Sequence, residues 1–188
     1  LTKSLAGKAL LLLGPGKKYG TSERSRAIHI EKTNPVIISV NYIPDDIAID
    51  YAFLSNSRRY VQLGSRLLEL KDRTDRKVKV IATSNVTNVK DRFDYTLNYS
   101  SLIDPNAEII DNSFVMLLNV LVKTGVSHAA CAGFDGYTYH GDNYFNADMD
   151  YRIAREKSQG INQYVTETLD RLAGTLNVEF ITDSRYHK

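Results

Sequence analysis

The sequence predicts an α/β protein, a three-layer sandwich built around a sheet of six or seven mostly parallel strands. Six short apolar runs alternate with helical stretches, and each run stops at a small polar residue or a glycine. Short β-rich runs that alternate with helices are typical of a parallel sheet covered on both faces. The six predicted strands are residues 9–13, 36–40, 51–54, 78–82, 128–132 and 178–181.

The composition is ordinary for a single globular domain over residues 1–188. Hydrophobic residues make up 43% of the chain and charged residues 24%, and the net charge is +2. This small net charge gives no reason to expect a nucleic-acid partner. The apolar runs are too short to cross a bilayer, and the start of the chain lacks a signal-peptide pattern. One cysteine, Cys131, allows no internal disulfide, and together these features predict a cytoplasmic domain without a membrane partner.

Two helices are predicted in the first half of the chain. The first covers residues 22–32 and ends before Asn34-Pro35, because the residue before a proline disfavours the α region. The second covers residues 58–71, where leucines and valines recur at helical spacing. Residues 72–76 are then expected to form a charged loop into the fourth strand.

The second half of the chain predicts an edge strand and two more helices. Alternation over residues 93–97 suggests the edge strand. An apolar helix over residues 114–122 should stop at Gly125, a residue type that favours the left-handed cap. The last helix is expected to begin near residues 148–150 and to continue to Leu172.

A glycine-rich turn follows the first predicted strand. Gly14 and Gly16 flank a proline there, and glycine permits a close approach of the backbone to a ligand. Free N–H groups in this turn could meet a phosphate. The turn has neither the dinucleotide-binding pattern GxGxxG nor the P-loop pattern. Two interpretations therefore stay open, a phosphate or ribose site and a plain strand-to-helix turn.

Polar residues at the strand ends predict the place of a ligand. The carboxyl ends of parallel strands meet at one edge of the sheet, and ligands bind there at a topological switch point. Asn41, Asn56 and Asn85 each follow a predicted strand. Their amides suit sugar hydroxyls or base edges, although asparagine also favours turns for its own sake.

Helix starts near this edge supply further candidates. Asn112 and Ser113 open the apolar helix, where they can cap it or help to hold an anion or a hydroxyl group. Arg58 and Arg59 follow Asn56 closely, and they can bind a phosphate or carboxylate or form a solvated helix start.

Asp135 is the residue expected at the centre of a ligand site. It lies between Gly133 and Gly136 at the end of the fifth predicted strand, where it can bind a ribose diol or a metal, or close a turn. His140, in the Tyr-rich loop over residues 137–149, is a candidate general acid or base, with an exposed loop histidine as the alternative. The sequence has no zinc-ligand spacing and no HExxH or GxSxG motif, so no metal site is predicted.

Several of these stretches resemble the Rossmann-like accessory domain that lies C-terminal to the barrel in proteins of the 4-hydroxy-2-oxovalerate aldolase family. The resemblance covers most of the chain, and its most specific part is AGFDGY at residues 132–137. The matching stretches are residues 11–16, 38–41 and 53–56, the arginines at 58 and 59, and residues 112–113 and 132–137.

The resemblance implies that the aldolase barrel and its divalent metal lie outside these residues. The chain begins at Leu1 without a methionine, so it is expected to be a C-terminal fragment of a longer aldolase-like chain, a lyase. This domain itself would hold no identified cofactor. It would bind a nucleotide or another small polar ligand as an accessory or regulatory unit next to the barrel, and a homo-oligomer is compatible with this role. A scaffold that mediates only oligomer contacts is a further alternative.

The order of the motifs is also similar, more distantly, to that of bacterial sialyltransferases that use CMP-sialic acid. That likeness implies a nucleotide facing the polar strand ends, with a glycosyltransferase-like enzyme as the alternative function. Two departures favour binding over transfer: Gly16 replaces a serine of those enzymes, and residues 143–155 contain no histidine. The predicted ligand-binding set is Gly14, Gly16, Asn41, Asn56, Arg58, Asn112, Ser113, Asp135 and Tyr137.

Overall fold

A computed structural model of the chain describes residues 1–72, 77–86, 93–107, 109–150 and 152–186. Its centre is a seven-stranded sheet with the strand order β5-β4-β3-β2-β1-β6-β7, and every neighbouring pair is parallel. The predicted α/β fold with a parallel sheet is therefore confirmed. The strands are β1 (Leu10–Leu13), β2 (Val36–Val40), β3 (Tyr51–Leu54), β4 (Lys79–Thr83), β5 (Tyr95–Leu97), β6 (His128–Ala132) and β7 (Asn177–Phe180).

Six α-helices accompany the sheet in the described part of the chain. Helix α2 ends at Asn34, which adopts the left-handed conformation with φ of 44° directly before Pro35. Gly125, just beyond α4, has φ of 77°, which fits the helix stop predicted there. The helices are α1 (Thr2–Leu5), α2 (Glu23–Thr33), α3 (Ser57–Asp72), α4 (Ser113–Lys123), α5 (Arg152–Glu156) and α6 (Ser158–Leu172).

The helices form one layer on each face of the sheet. Alternate residues of a strand point to opposite faces, so the run of leucines in β1 contributes to two separate cores. Leu10 and Leu12 pack with apolar residues of α4 and α6. Leu11 and Leu13 pack with residues of α2 and α3 on the other face. Both faces of the sheet are thus covered, which explains why the strands have continuous apolar sequences.

The prediction of one continuous final helix is wrong. A 3-10 turn at Ala147–Met149 is capped by Asn146, whose side-chain oxygen accepts the backbone N–H of Asp148. The next residue, Asp150, is extended with ψ of 147°, so the chain leaves the helical path before α5 begins. Lys157, with φ of −103°, then separates α5 from α6.

Two further expectations concern loops and membranes. Residues 73–76, most of the predicted charged loop over 72–76, lie outside the described residues. Across the described ranges, no helix combines the length and the apolar character that crossing a lipid bilayer requires.

Candidate functional site

A cavity of about 520 Å³ opens at the carboxyl edge of the sheet. Its walls come from the ends of β2 and β3, from the loop after β6, and from the N-terminal ends of α3 and α4. The structure brings eight of the nine predicted ligand-binding residues to this cavity. They are Gly16, Asn41, Asn56, Arg58, Asn112, Ser113, Asp135 and Tyr137.

Gly14, the ninth, does not line the cavity but packs against the loop after β6. Its N–H donates to the carbonyl of Ala132 at 2.8 Å, and the N–H of Gly16 donates to the carbonyl of Gly133 at 2.7 Å. A Cβ on Gly14 would lie 2.5 Å from the Gly133 oxygen. These N–H groups are therefore not free for a phosphate, and the glycines instead allow two backbones to meet at the β1–β6 switch point.

Three polar side chains form a network across the floor of the cavity. The Asn41 amide donates to the Ser113 hydroxyl at 2.6 Å and to the Ser55 hydroxyl at 3.3 Å. The backbone N–H of Ser55 donates to the Asn41 side-chain oxygen at 3.0 Å. Asn41 has φ of 55°, a left-handed conformation that asparagine tolerates better than most residues. The network links β2 and β3 to the start of α4.

This network contains one hydroxyl hydrogen for which it has no acceptor. The hydroxyl oxygens of Ser55 and Ser113 lie 2.7 Å apart, so one of the two hydroxyl hydrogens lies between them. Both oxygens also accept a hydrogen from the Asn41 amide. Whichever serine donates, the other hydroxyl hydrogen has no acceptor among the described residues. Both serines line the cavity, so this hydrogen is available to a ligand oxygen.

Asparagines cap the two helices that begin at the cavity. The Asn112 side-chain oxygen accepts the N–H groups of Phe114 and Val115, each at 3.1 Å. The Asn56 side-chain oxygen accepts the N–H of Arg59 at 3.2 Å. The predicted capping role of Asn112 is thus confirmed, and Asn56 has the same role. The positive ends of two helix dipoles face one cavity, an arrangement that favours an anion.

Two arginines at the start of α3 have different surroundings. Arg59 donates to the Gln62 side chain at 2.9 Å and to the carbonyl of Met149, and its guanidinium lies 6.0 Å from the centre of the Tyr144 ring. It fastens the loop before α5 to α3. The Arg58 guanidinium has no acceptor among the described residues, although it lines the cavity. Arg58 is therefore the cation that a ligand can engage without breaking a contact.

Asp135 has one satisfied and one unsatisfied carboxylate oxygen. Its Oδ2 accepts the backbone N–H of Lys18 at 2.6 Å, a contact with another loop rather than with its own. Its Oδ1 is buried and has no partner among the residues that the structure describes. Burial raises the pKa of Asp135 to about 6, although the Lys18 N–H acts in the opposite direction. Oδ1 is closed off by Gly16, where a Cβ would lie 2.7 Å from it, so the acceptor capacity that the carboxylate keeps for a ligand hydroxyl is that of Oδ2.

The loop after Asp135 is held by two side-chain amides. Asn162 of α6 accepts the N–H of Tyr137 and donates to its carbonyl, both at 2.8 Å. Asn143 makes the equivalent pair of contacts with Thr138, at 2.7 and 3.2 Å. The backbone around Asp135 is thus fixed before any ligand arrives. Burial raises the pKa of the Tyr137 phenol, so Tyr137 is a neutral hydrogen-bonding group of the wall.

His140 and Asn85 lie away from this cavity. His140 is exposed and lines a second cavity of about 500 Å³, with its ring 5.9 Å from that of Tyr139. Asn85 accepts the Thr83 hydroxyl at 2.6 Å and donates to the carbonyl of Ser55 at 3.3 Å, so it fixes the end of β4. The structure therefore keeps His140 out of the first cavity, and Asp135 is the one of the nine predicted ligand-binding residues that lines the second cavity with it.

Sequence reasoning missed Ser55, Lys157 and Tyr144 as lining residues. Ser55 directly precedes Asn56 at the end of β3, so its position was a usable signal. Lys157 and Tyr144 come from the long segment after β6, whose path no local pattern predicts. That segment and the loop before α4 also supply the apolar part of the wall, including Ile109, Ile110, Met149, Ile153 and Ile161.

Comparisons of the chain with protein-family models, with curated proteins and with solved structures find no significant match. The functional argument therefore depends on the site itself. Among the residues that the structure describes, no three His, Cys, Asp or Glu side chains are grouped so that they could hold a metal ion.

Proposed function

We propose that this domain binds a small ligand with an anionic group and a flat, partly apolar portion, and that a nucleotide is the class that fits best. The observation that carries the proposal is Arg58, an exposed cation with no acceptor among the described residues, at a cavity that apolar side chains also line. At about 520 Å³ the cavity lies within the usual range for small-molecule sites.

The anionic group would lie near the start of α3. Arg58 offers a guanidinium that can bind two phosphate oxygens at once. The N-terminal ends of α3 and α4 add favourable dipoles. The spare hydroxyl hydrogen of the Ser55–Ser113 pair supplies one more donor to a ligand oxygen. All these groups favour negative charge, while the carboxylate of Asp135 would face a neutral, hydroxyl-bearing part of the ligand.

The apolar wall would accept the flat portion of the ligand. Isoleucines 109, 110, 153 and 161 supply aliphatic surface, and Tyr137 and Tyr144 supply aromatic surface. The two tyrosine rings meet edge to face with centres 6.1 Å apart. A nucleobase has a hydrophobic face and a polar edge, and a wall that mixes aliphatic, phenolic and amide groups suits both.

The resemblance described above supports a role for such binding. In this proposal the domain is an accessory or regulatory unit of an aldolase-like lyase, and its ligand would report on the supply of a metabolite to the barrel. A cytoplasmic setting agrees with the single cysteine, Cys131, which is fully buried and cannot take part in a disulfide.

Titration calorimetry with AMP, CMP, GMP and UMP, each beside its nucleoside, tests the proposal. At least one nucleotide should bind about tenfold or more tightly than its nucleoside, since a charge-assisted contact with Arg58 is worth about 1.5–3 kcal/mol. Arg58→Gln should remove most of this difference. Arg24→Gln is the matched control, because Arg24 is an exposed residue of α2 that does not line the cavity. Failure of every nucleotide to bind at millimolar concentration would contradict the proposal.

A further inference from the structure

The second cavity adjoins the first and differs from it in chemistry. It is an open depression of about 500 Å³, and every residue that lines it is polar, charged or a glycine. Isoleucine and tyrosine side chains line the first cavity, whereas no side chain of an apolar residue type lines the second among the described residues. Three residues line both cavities: Asp135, Gly136 and Asn143. The two spaces are therefore neighbours across Asp135.

Most of the charges in the second cavity compensate one another. Lys17 forms an ion pair with Asp142, and the Lys18 ammonium lies 3.5 Å from the carboxylate of Asp183. What remains is a surface rich in hydrogen-bond donors and acceptors but low in net charge. Such a surface suits a group with many hydroxyls better than it suits a phosphate or an apolar ring.

Asp135 connects the two spaces chemically. It lines both cavities, its Oδ2 accepts the Lys18 N–H and keeps further acceptor capacity, and an ionised carboxylate accepts hydrogen bonds but donates none. A ligand that passes from one cavity to the other needs a donor at this point, and a hydroxyl group supplies one. The amide clamp of Asn143 keeps the loop beside Asp135 in place. Arg185, an exposed residue that lines the second cavity, lies beside Asp135, whose carbonyl accepts its backbone N–H at 3.0 Å, and its guanidinium has no acceptor among the described residues.

We propose that the second cavity is a subsite for a polyhydroxylated group of the same ligand, with one of its hydroxyls donating to Asp135. The ligand then joins a sugar-like group to an anionic group, which Arg58 holds in the first cavity. This inference rests on the proposed function, because it takes the anionic group to lie in the first cavity.

NMR titration of the backbone amides with three phosphate compounds tests the inference. Inorganic phosphate should shift amides near Arg58 only. Glucose 1-phosphate should also shift amides of residues 138–142 and 183–185, and it should bind about tenfold more tightly than cyclohexyl phosphate, which has a ring of the same size without hydroxyls. Equal affinities for the two, with no shifts in the second cavity, would overturn the inference while leaving anion binding intact. Absence of any saturable shift near Arg58 would instead defeat the proposed function.

Two variants separate the contacts within the subsite. Asp135→Asn should remove most of the advantage of glucose 1-phosphate over cyclohexyl phosphate. Arg185→Gln alters an exposed side chain, so it should fold normally, and it should weaken glucose 1-phosphate binding several-fold while leaving inorganic phosphate binding unchanged. Asp148→Asn is the matched control, because Asp148 is an exposed carboxylate of the same segment that lines neither cavity. An unchanged preference for glucose 1-phosphate in both Asp135→Asn and Arg185→Gln would overturn the subsite.

Discussion

Arg26 and Asp135 are two charged residues that are wholly or partly buried, and their surroundings are very different. Arg26 is 1% exposed, and its guanidinium stacks 3.8 Å from the centre of the Tyr19 ring. It donates to the Tyr19 carbonyl, to the Ser22 hydroxyl at 2.6 Å and to the Asp46 carboxylate. Asp135 has a single backbone donor on one oxygen and none on the other.

The difference separates a structural charge from a candidate site. Protein groups surround Arg26, which lines neither cavity. Its Nε, which has no partner among the described residues, belongs to a guanidinium that an aromatic face covers. Asp135 lines both cavities, and the described donors satisfy only part of the acceptor capacity of its carboxylate. Burial of a charge does not by itself mark a binding site, whereas an unused polar atom beside an open space does.

Removal of the Arg26 side chain should have the largest effect on stability. Arg26→Ala removes the guanidinium that donates to the Asp46 carboxylate, to the Ser22 hydroxyl and to the Tyr19 carbonyl, and it opens a cavity under the Tyr19 ring. We expect a loss of about 3 kcal/mol in the free energy of unfolding, toward the lower end for a broken buried ion pair, because the Asp46 side chain is 41% exposed and can hydrate. Urea denaturation measures this loss.

The control for Arg26 is Arg24→Ala in the same helix. Arg24 is exposed, and its loss should change the free energy of unfolding by less than about 0.5 kcal/mol. Equal free energies of unfolding for the two variants would show that the buried contacts of Arg26 do not stabilise the fold. Ligand affinity of the folded Arg26→Ala protein should be unchanged, since its surroundings lie outside both cavities.

Alanine substitution at Gly133, with Gly64 as the control position, tests the backbone next to Asp135. Gly133 has φ of +72°, and a Cβ there would lie 2.2 Å from the Gly14 carbonyl oxygen. Gly133→Ala should therefore cost about 2–3 kcal/mol of stability and weaken binding in both cavities. Gly64→Ala, inside α3 with nothing within 4 Å of the added Cβ, should instead stabilise by about 0.5–1 kcal/mol. Thermal melting curves that moved in the same direction for both variants would contradict this account of Gly133.

The sequence predicted the strands better than the site because burial leaves a strong local pattern. Strands β2, β3 and β6 have the predicted bounds, since each is an apolar run that ends at a turn residue. The rule that carboxyl ends share one edge then placed eight of nine predicted residues at the cavity. Parallel topology alone brings Asn41 and Asp135 to one edge, although 94 positions separate them in the chain (135 − 41).

What the sequence could not predict depends on contacts between distant segments. The N–H groups of Gly14 and Gly16 are used by the loop after β6, and only the strand order reveals that neighbour. The break before α5 depends on Asn146, whose side chain caps a single turn and competes with a continuous helix. The position of His140 in the Tyr-rich loop predicts that it lies near the site. A loop residue has no periodic sequence pattern from which the direction of its side chain can be predicted.

Asp135→Asn should affect ligand binding more than folding. The variant keeps the size of the side chain and removes the charge that accepts a ligand hydroxyl. We expect binding of glucose 1-phosphate to weaken by about 1–3 kcal/mol in calorimetry at pH 7.5. The melting temperature without ligand should be equal or higher, because a buried carboxylate no longer has to be ionised. A lower melting temperature with unchanged affinity would mean that Asp135 is a structural residue like Arg26.

The pH dependence of stability gives a second test of Asp135. Its pKa is about 6 in the folded protein against the usual 3.8, so the folded state binds the proton more tightly than the unfolded chain. The stabilisation from that proton is complete below about pH 4 and is lost as the pH rises through 6. The free energy of unfolding of the native protein should therefore fall relative to that of Asp135→Asn over this window. Parallel pH profiles for the two proteins would show that Asp135 has an ordinary pKa.

The smallest expected effect, and the most specific, concerns the Ser55–Ser113 pair. Each single alanine variant leaves one serine, and the remaining hydroxyl hydrogen no longer has a serine partner. In Ser113→Ala the hydroxyl hydrogen of Ser55 becomes available to the ligand. In Ser55→Ala the hydroxyl hydrogen of Ser113 stays available to it. Each single variant should therefore weaken phosphate binding by less than about 0.5 kcal/mol, whereas the double variant should weaken it by about 1–1.5 kcal/mol, the value of one hydrogen bond. Substitutions of residues that share a network are expected to have non-additive effects of this kind.

Calorimetry of the four proteins closes the double-mutant cycle, with thermal melting to confirm that each is folded. Additive losses would show that the two hydroxyls act separately, and no loss in the double variant would show that the spare hydrogen does not reach the ligand.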